Sequence, residues 1–250
     1  MLKQHVNHFY IQSKAFKTAK ETSLTNSGCA TVQIDWSENY SIKQAGEEKS
    51  PYYFERHISI HSGYVWTKQK QFGFAALSDA TNHMGEACWA SIQTLLKDLE
   101  KLEIKHMTFV TDSPTSQYRN KTILYLIKSL ATTKKIKITW LYLEAGHGKG
   151  VADAIGATIK RQIDDLIAYH PNDSYLTAKE IYNDLQSKTN LKLYYYDSND
   201  TEKIKNLLPK LQPVPGTAKI HEVEVEVESN GDLYGKDWSN EPLKLLKIRF

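Results

Sequence analysis

Two kinds of repeat organise the apolar and polar positions of this chain. Four stretches show the three-to-four-residue spacing of a helix with one buried side. Residues 2–22 place Val6, Phe9, Tyr10 and Phe16 together, and residues 85–102 do the same with Trp89, Ile92, Leu95, Leu96 and Leu99. A third helix is expected from Ser113-Pro114, a cap followed by a proline suited to the first turn, to about Ala131; its apolar side holds Ile123, Leu124, Leu126, Ile127 and Leu130. The fourth runs from Val151 to about Tyr169 along Ile155, Ile159, Ile163 and Ile167. Between the helices lie short apolar or alternating runs that read as strands. They are residues 30–36, 54–68 (one long strand, or two bent near Ser62-Gly63), 72–78, 106–111 and 136–143. Thr22–Gly28, the charged segment Lys43–Pro51, Lys68–Gln71 and the glycine-rich Gly146–Gly150 punctuate them.

From Ala30 the order is therefore β-β-β-α-β-α-β-α. A β-meander followed by βα units builds a mixed sheet flanked by helices. That is the order of a ribonuclease-H-like fold, an α/β architecture on a five-stranded mixed sheet. Past residue 170 the character changes. A helix is expected over Thr177–Lys188, a strand over Leu191–Tyr196 and a short helix over Lys203–Leu211. The breaker Gln212-Pro-Val-Pro-Gly precedes a strict alternation of Val223, Val225 and Val227 with Glu222, Glu224, Glu226 and Glu228. This reads as a half-buried edge strand whose charges resist aggregation, with Asn230-Gly231 turning into Leu233-Tyr234. The expected organisation is an N-terminal helix and linker (1–27), a ribonuclease-H-like domain (28–170) and an α+β extension (171–250).

Composition adds bounds. The chain has 250 residues, 40% hydrophobic and 24% charged, the balance of a globular protein. No apolar run approaches the roughly 18 residues that span a bilayer. The N-terminus lacks a signal-peptide core. Two cysteines, Cys29 and Cys88, are too few for a disulfide scaffold or zinc finger, so a reducing intracellular compartment is expected. A net charge of +3 gives no bulk attraction to nucleic acid, so any basic surface must be local.

The candidate chemistry is carried by three aspartates. Asp35 ends the strand Val-Gln-Ile-Asp-Trp, Asp112 ends Phe-Val-Thr-Asp-Ser-Pro, and Asp153 opens a helix in Gly-Lys-Gly-Val-Ala-Asp-Ala-Ile. Taken singly, an aspartate at a strand end is usually a turn former or helix cap. Three at matching topological positions point instead to a carboxylate cluster able to hold divalent metal. Neighbouring first and fourth strands would bring Asp35 and Asp112 together, with the helix of Asp153 lying across them. The glycines before Asp153 allow a close backbone approach, and the helix start exposes amides suited to phosphate oxygens. Lys160 shares a helix face with Asp153, and Lys149 and Arg161 flank it. Gln117, Tyr118, Arg119 and Asn120 follow Asp112 with groups suited to phosphate and sugar. His147, in the glycine loop, could contact a scissile phosphate or only bond to backbone.

Gly-Lys-Gly-Val-Ala-Asp-Ala-Ile-Gly-Ala-Thr-Ile-Lys-Arg resembles the third-carboxylate helix of retroviral integrases and cut-and-paste transposases, where a lysine follows the acid by seven positions. Together with Ile-Asp-Trp-Ser-Glu-Asn-Tyr and Thr-Asp-Ser-Pro-Thr-Ser-Gln-Tyr-Arg-Asn, it resembles uncharacterised transposase-like proteins of invertebrates, over roughly Thr31 to Arg161. The Pro-Gly-Thr-Ala-Lys-Ile-His segment also resembles them. The resemblance implies Asp35, Asp112 and Asp153 as ligands for two Mg²⁺ or Mn²⁺ ions. It also implies DNA as partner, a homodimer or larger assembly on DNA, and a nuclear location. The third acid is Asp where integrases have Glu, and no DNA-binding domain of recognisable type accompanies the core.

The expected activity is metal-dependent polynucleotidyl transfer: DNA cleavage and 3′-end joining, as in DNA integration and recombination. The alternatives are a nuclease that only hydrolyses and a domesticated, catalytically silent nucleic-acid-binding module. Glu144, at the end of the fifth strand, is a rival to Asp153. Glu38 reads as surface and Glu86 as a helix-start charge. His5 and His8, without cysteine partners, read as helix surface. The glycine loop is not a Walker motif, because Gly150 stands where Ser or Thr belongs. Trp36, Trp89 and Trp140 read as core.

Overall fold

The computed structural model describes residues 2–42, 56–144, 150–170, 175–226 and 231–246, with residues 2–5 as helix backbone only. Helix α1 (Leu2–Thr25) leads into β1 (Cys29–Trp36), the two-residue β2 (Tyr40–Ser41), β3 (His57–Trp66) and β4 (Gln71–Ser78). Helices and strands then alternate through α2 (Gly85–Glu100), β5 (His106–Thr111), α3 (Lys121–Lys134), β6 (Lys137–Tyr142) and α4 (Val151–Tyr169). The remainder supplies α5 (Ala178–Leu185), β7 (Lys192–Tyr195), α6 (Ser198–Leu207), β8 (Glu222–Val225), β9 (Leu233–Lys236) and β10 (Lys244–Leu245).

One mixed sheet runs β10-β9-β8-β6-β5-β1-β3-β4-β7, with β2 paired to β3. Its middle, β4-β3-β1-β5-β6, has the ribonuclease-H-like order. There β3 lies antiparallel to β1 and β4, while β5 is parallel to β1 and β6 parallel to β5. The five-stranded expectation is enlarged. The chain past residue 170 adds β7, parallel, beside β4, and β8 to β10, antiparallel, beyond β6. It builds both edges of the same sheet.

The two faces of the sheet are buried by different helices. On one, Ile92, Leu95, Leu99, Ile123 and Ile127 from α2 and α3 close over Val32, Phe109 and Trp140. On the other, Ile159 and Ile163 of α4 and Ile181 of α5 close over Ile58, Ile60, Ala75 and Leu77. Helix α1 covers the rest of that second face through Ala15, Phe16 and Ala19 against Val110, Leu141 and Leu143. Gln12 pins it: its amide donates to the carbonyls of Tyr142 and His221 at 3.1 and 3.0 Å and accepts from Ser239 N at 3.0 Å. Trp140 is wholly buried, and its Nε1 donates to Thr111 Oγ1 at 3.0 Å.

Two local expectations are corrected. The helix after Asp112 starts at Lys121, not Ser113. Pro114 O instead receives the N–H groups of Tyr118 and Arg119, and Asn120 resets the chain by accepting from Ile123 N at 3.0 Å. An asparagine cap next to the first apolar turn outcompetes a serine seven residues earlier. Of the two readings of the segment 54–68, the described residues hold the single strand, His57–Trp66. The Val-Glu strand is interior, not an edge: β8 lies between β6 and β9. Glu222 and Glu224 are buried because lysines on the neighbouring strands neutralise them. Lys137 Nζ reaches Glu224 at 2.6 Å, and Lys236 reaches Glu224 at 2.9 Å and Glu222 as well.

Gly63 shows how tight the central strands are. A Cβ there would stand 2.3 Å from Gln33 O and 2.7 Å from the Phe74 ring. The first is backbone of β1 and cannot yield. Gly63→Ala is therefore expected to destabilise the fold by about 1–3 kcal/mol, read as a lower urea midpoint. An unchanged midpoint would mean β1 and β3 are less closely apposed.

Candidate active site

The parallel register of β1 and β5 builds the site. Cys29 pairs with His106 and Gln33 with Val110, every partner 77 residues further on. Carrying that offset two residues past the last pair sets Asp35 opposite Asp112. Both emerge at the carboxyl ends of their strands, on the rim where open α/β sheets bind ligands. Side chains alternate along a strand, so Asp35 points to the same face as Gln33. That face meets the start of α4: a Cβ on Gly150 would lie 2.6 Å from Gln33 Nε2, so the helix start rests against the Gln33 side chain. Ser62 Oγ on β3 then joins the two elements, donating to Ala152 O at 2.9 Å and lying 3.4 Å from Asp35 O. Asp153 follows directly, in the first turn of α4.

The three carboxylates feel one another. Burial first, then the charges of Asp112 and Asp153, push the Asp35 carboxyl up to about 7; the Trp36 N–H opposes this. Burial and then Asp153 push Asp112 up to about 6, against the Arg119 guanidinium. Asp112 Oδ1 is buried and has no hydrogen-bond partner among the described residues. Asp153 is exposed and accepts from Gly150 N at 2.8 Å through Oδ2, capping its own helix. The rival Glu144 faces elsewhere. It lies 3.9 Å from His8 Nδ1 and acts on Arg119 and His221, on the side of α1 and β8.

A divalent cation fits this donor set chemically. Its oxygens are hard, its charges repel, and one buried carboxylate oxygen lacks a partner. Among the described residues, no three His, Cys, Asp or Glu side chains are gathered as a metal cage in this arrangement. Asp153 would have to leave its capping position to complete one.

The flanking candidates separate. Gln117 stands half-buried on the loop after β5, Lys160 half-buried on α4, and Arg161 exposed beside it. His147 and Lys149 lie outside the described residues. Tyr118 and Arg119 are corrected as nucleic-acid contacts. Tyr118 is fully buried, its hydroxyl 3.0 Å from His61 Nε2, so it offers no face to a base. Arg119 is a clamp. It donates to Ala218 O and Ile220 O at 2.7 and 3.2 Å and to Ser113 O at 2.9 Å, fastening the segment before β8 to the loop of Asp112. Glu86 accepts from Thr122 Oγ1 at 3.3 Å at the start of α2, in keeping with a helix-start charge. Glu38 is exposed. His8 stacks on Trp238 at 3.7 Å.

Two histidines near the rim escaped the sequence reading. His61 is wholly buried, with Nδ1 2.6 Å from Ser91 Oγ, and burial pushes it down to about 3, so the ring is neutral. It stacks on one face of Trp36 at 4.1 Å, and His83 stacks on the other at 4.3 Å. Neither sits in a motif; only the β1–β3 register and the loop after β4 bring them to Trp36.

The chain belongs to the family described as Domain of unknown function (DUF8701), which matches residues 12–235. The match runs from α1 into β9, so the family unit includes β7 and β8 beyond residue 170. No curated protein matches the chain.

Arg119→Met is expected to leave three carbonyls without their donor and to cost about 1.5–3 kcal/mol. Hydrogen exchange should then quicken over residues 217–225; unchanged protection there would rule out the clamp. The aspartates set a pH dependence. With the folded carboxyls titrating near 6 and 7 against an ordinary 3.8, the metal-free folded chain binds more protons than the unfolded one in between. Its stability therefore falls as pH rises from about 4 to about 7. Asp35→Asn should flatten that fall, so that in EDTA the variant gains on the parent between about pH 4 and about pH 8. A parent–variant difference that is the same at both ends would contradict the coupling.

Proposed function

We propose that this chain is a metal-dependent polynucleotidyl transferase that cleaves DNA strands and joins 3′ ends, in the manner of transposases and integrases. The observation that supports the reading is that the charges of Asp112 and Asp153 act on Asp35, and that of Asp153 on Asp112, at the strand ends of a sheet with ribonuclease-H-like order. The same residues would hold two Mg²⁺ or Mn²⁺ ions, which when bound activate a water or 3′-hydroxyl and stabilise the departing 3′ oxygen.

The protein's own part is placement and charge. Asp35 and Asp112 are held up in pKa by burial and mutual repulsion, so they give up protons as cation enters. Asp112 supplies the oxygen that lacks a partner. The first turn of α4 presents backbone N–H groups to a phosphate, and Lys160 and Arg161 continue along that helix as cations for the flanking backbone. Gln117 reaches the same rim from the loop after β5. A joining reaction needs two DNA ends, so the working form would be a dimer or larger assembly, and a DNA substrate would put it in the nucleus.

Asp112→Asn is the decisive variant. With Mg²⁺ and a labelled duplex, the parent should nick the strand and yield joined product. The variant should lose about a hundredfold or more of that activity while still binding DNA. Cleavage by the variant equal to the parent's would end the triad reading. A parent that cuts but never joins is a hydrolytic nuclease, and one that binds without cutting is a silent module.

A further inference from the structure

The aromatic stack beside Asp35 has no part in metal binding, yet it ends at the same rim. Strand β4 is antiparallel to β3, as β1 is, so β1 and β4 point the same way. The loop 79–84 that follows β4 therefore emerges beside the carboxyl end of β1. It carries His83 onto Trp36, the residue after Asp35, with ring centroids 4.3 Å apart and planes 9° apart. On the far side His61 backs the indole at 4.1 Å and 16°. The Trp36 indole Nε1–H is buried without an acceptor among the described residues, so flat contact with two rings, and not a hydrogen bond, holds the indole.

His83 itself is fixed in plane. Its Nε2 lies 2.9 Å from Asn39 Oδ1, and Asn39 Nδ2 lies 3.4 Å from Thr81 O. One face of the imidazole is against Trp36; the ring is half-buried, and among the described residues no other ring covers its outer face. Met84, 48% exposed, stands next to it. A histidine serving only to seal a tryptophan needs no orienting asparagine, and an aliphatic side chain would do. A flat ring held in plane, part-exposed and with one face covered by no other ring among the described residues, suits stacking, which every base can offer. Burial keeps the ring uncharged near neutral pH by lowering its pKa.

We infer that the outer face of His83 is a stacking platform for one nucleobase displaced from the DNA helix next to the scissile phosphate. The inference rests on the polynucleotidyl-transfer reading and gives it a substrate preference, DNA whose flank at the cut is unpaired or easily unpaired. With a phosphate against Asp35 and Asp112, the adjoining nucleotide has only the strand end to cross before its base meets His83. Unstacking costs least where pairing is already weak, so the platform favours frayed or single-stranded flanks over intact duplex.

The test uses the full chain with Mg²⁺ chelated, so that no strand is cut, and short forked DNA probes carrying 2-aminopurine at single positions beside the fork. The parent should quench the fluorophore at one position. His83→Ala should abolish that quench and weaken binding about tenfold, while His83→Phe, which restores a ring but not the Asn39 contact, should keep both. Three results would overturn the inference: no quench at any position with the parent, an undiminished quench in His83→Ala, or His83→Phe behaving like His83→Ala while melting like the parent. Cutting is scored separately with Mg²⁺ restored. Quench without cutting keeps the platform and removes the transferase reading; cutting without quench does the reverse.

Discussion

Like charges held close together in a buried place govern this molecule. Asp35 and Asp112 are opposite one another because β1 and β5 pair in parallel at a constant offset, and Asp153 is added by a helix that glycine lets settle on Gln33. For Asp35 and Asp112 burial and repulsion both favour the protonated acid, and the surrounding packing must hold them in place regardless. The close fit of β3 on β1 at Gly63, the Ser62 link to Ala152 and the rings around Trp36 all stiffen the end of the strand where that repulsion acts. A site under such tension keeps its shape only if the scaffold is rigid, and a central strand between two others is the most rigid support a sheet provides.

The strands past residue 170 serve the same end. Arg119 looks from sequence like a free cation beside Asp112, but it fastens the segment before β8 and lowers the pKa of the Asp112 carboxyl at once. The buried glutamates of β8 need lysines from both neighbouring strands, and they bind that strand into the sheet by charge as much as by its valines. Removing one member of such a network would strand the rest without partners.

Much of this was legible in the order of elements. The β-β-β-α-β-α-β-α pattern gives the central five strands, and the two strand-end aspartates follow from it. Their 77-residue spacing is the register itself, a number that acquires meaning only once the strands are known to be parallel neighbours. Other features were hidden for physical reasons. The Val-Glu alternation is the same whether the glutamates face water or lysines, since period two says which residues share a face and not what lies opposite. Tyr118 and Arg119 lie in a polar, turn-rich stretch, and their partners are distant: His61 and Trp140 for Tyr118, residues 218–220 for Arg119. His61 and His83 belong to no spacing at all; they come together by strand register and loop geometry.

The hydrogen bonds of Gln12 have a consequence in time. One side chain, Gln12, bonds to Tyr142 in β6, to His221 just before β8 and to Ser239. Helix α1 is thus fully bonded only once residues as far along the chain as Ser239 have been made. Until they emerge, the aliphatic floor of Val110, Leu141 and Leu143 that α1 later covers stays open. Contacts of such long sequence separation slow folding and leave apolar surface exposed on the ribosome. One glutamine thus ties three widely separated segments together, and the sheet that carries the rim of aspartates gains this brace only after its central strands have been made.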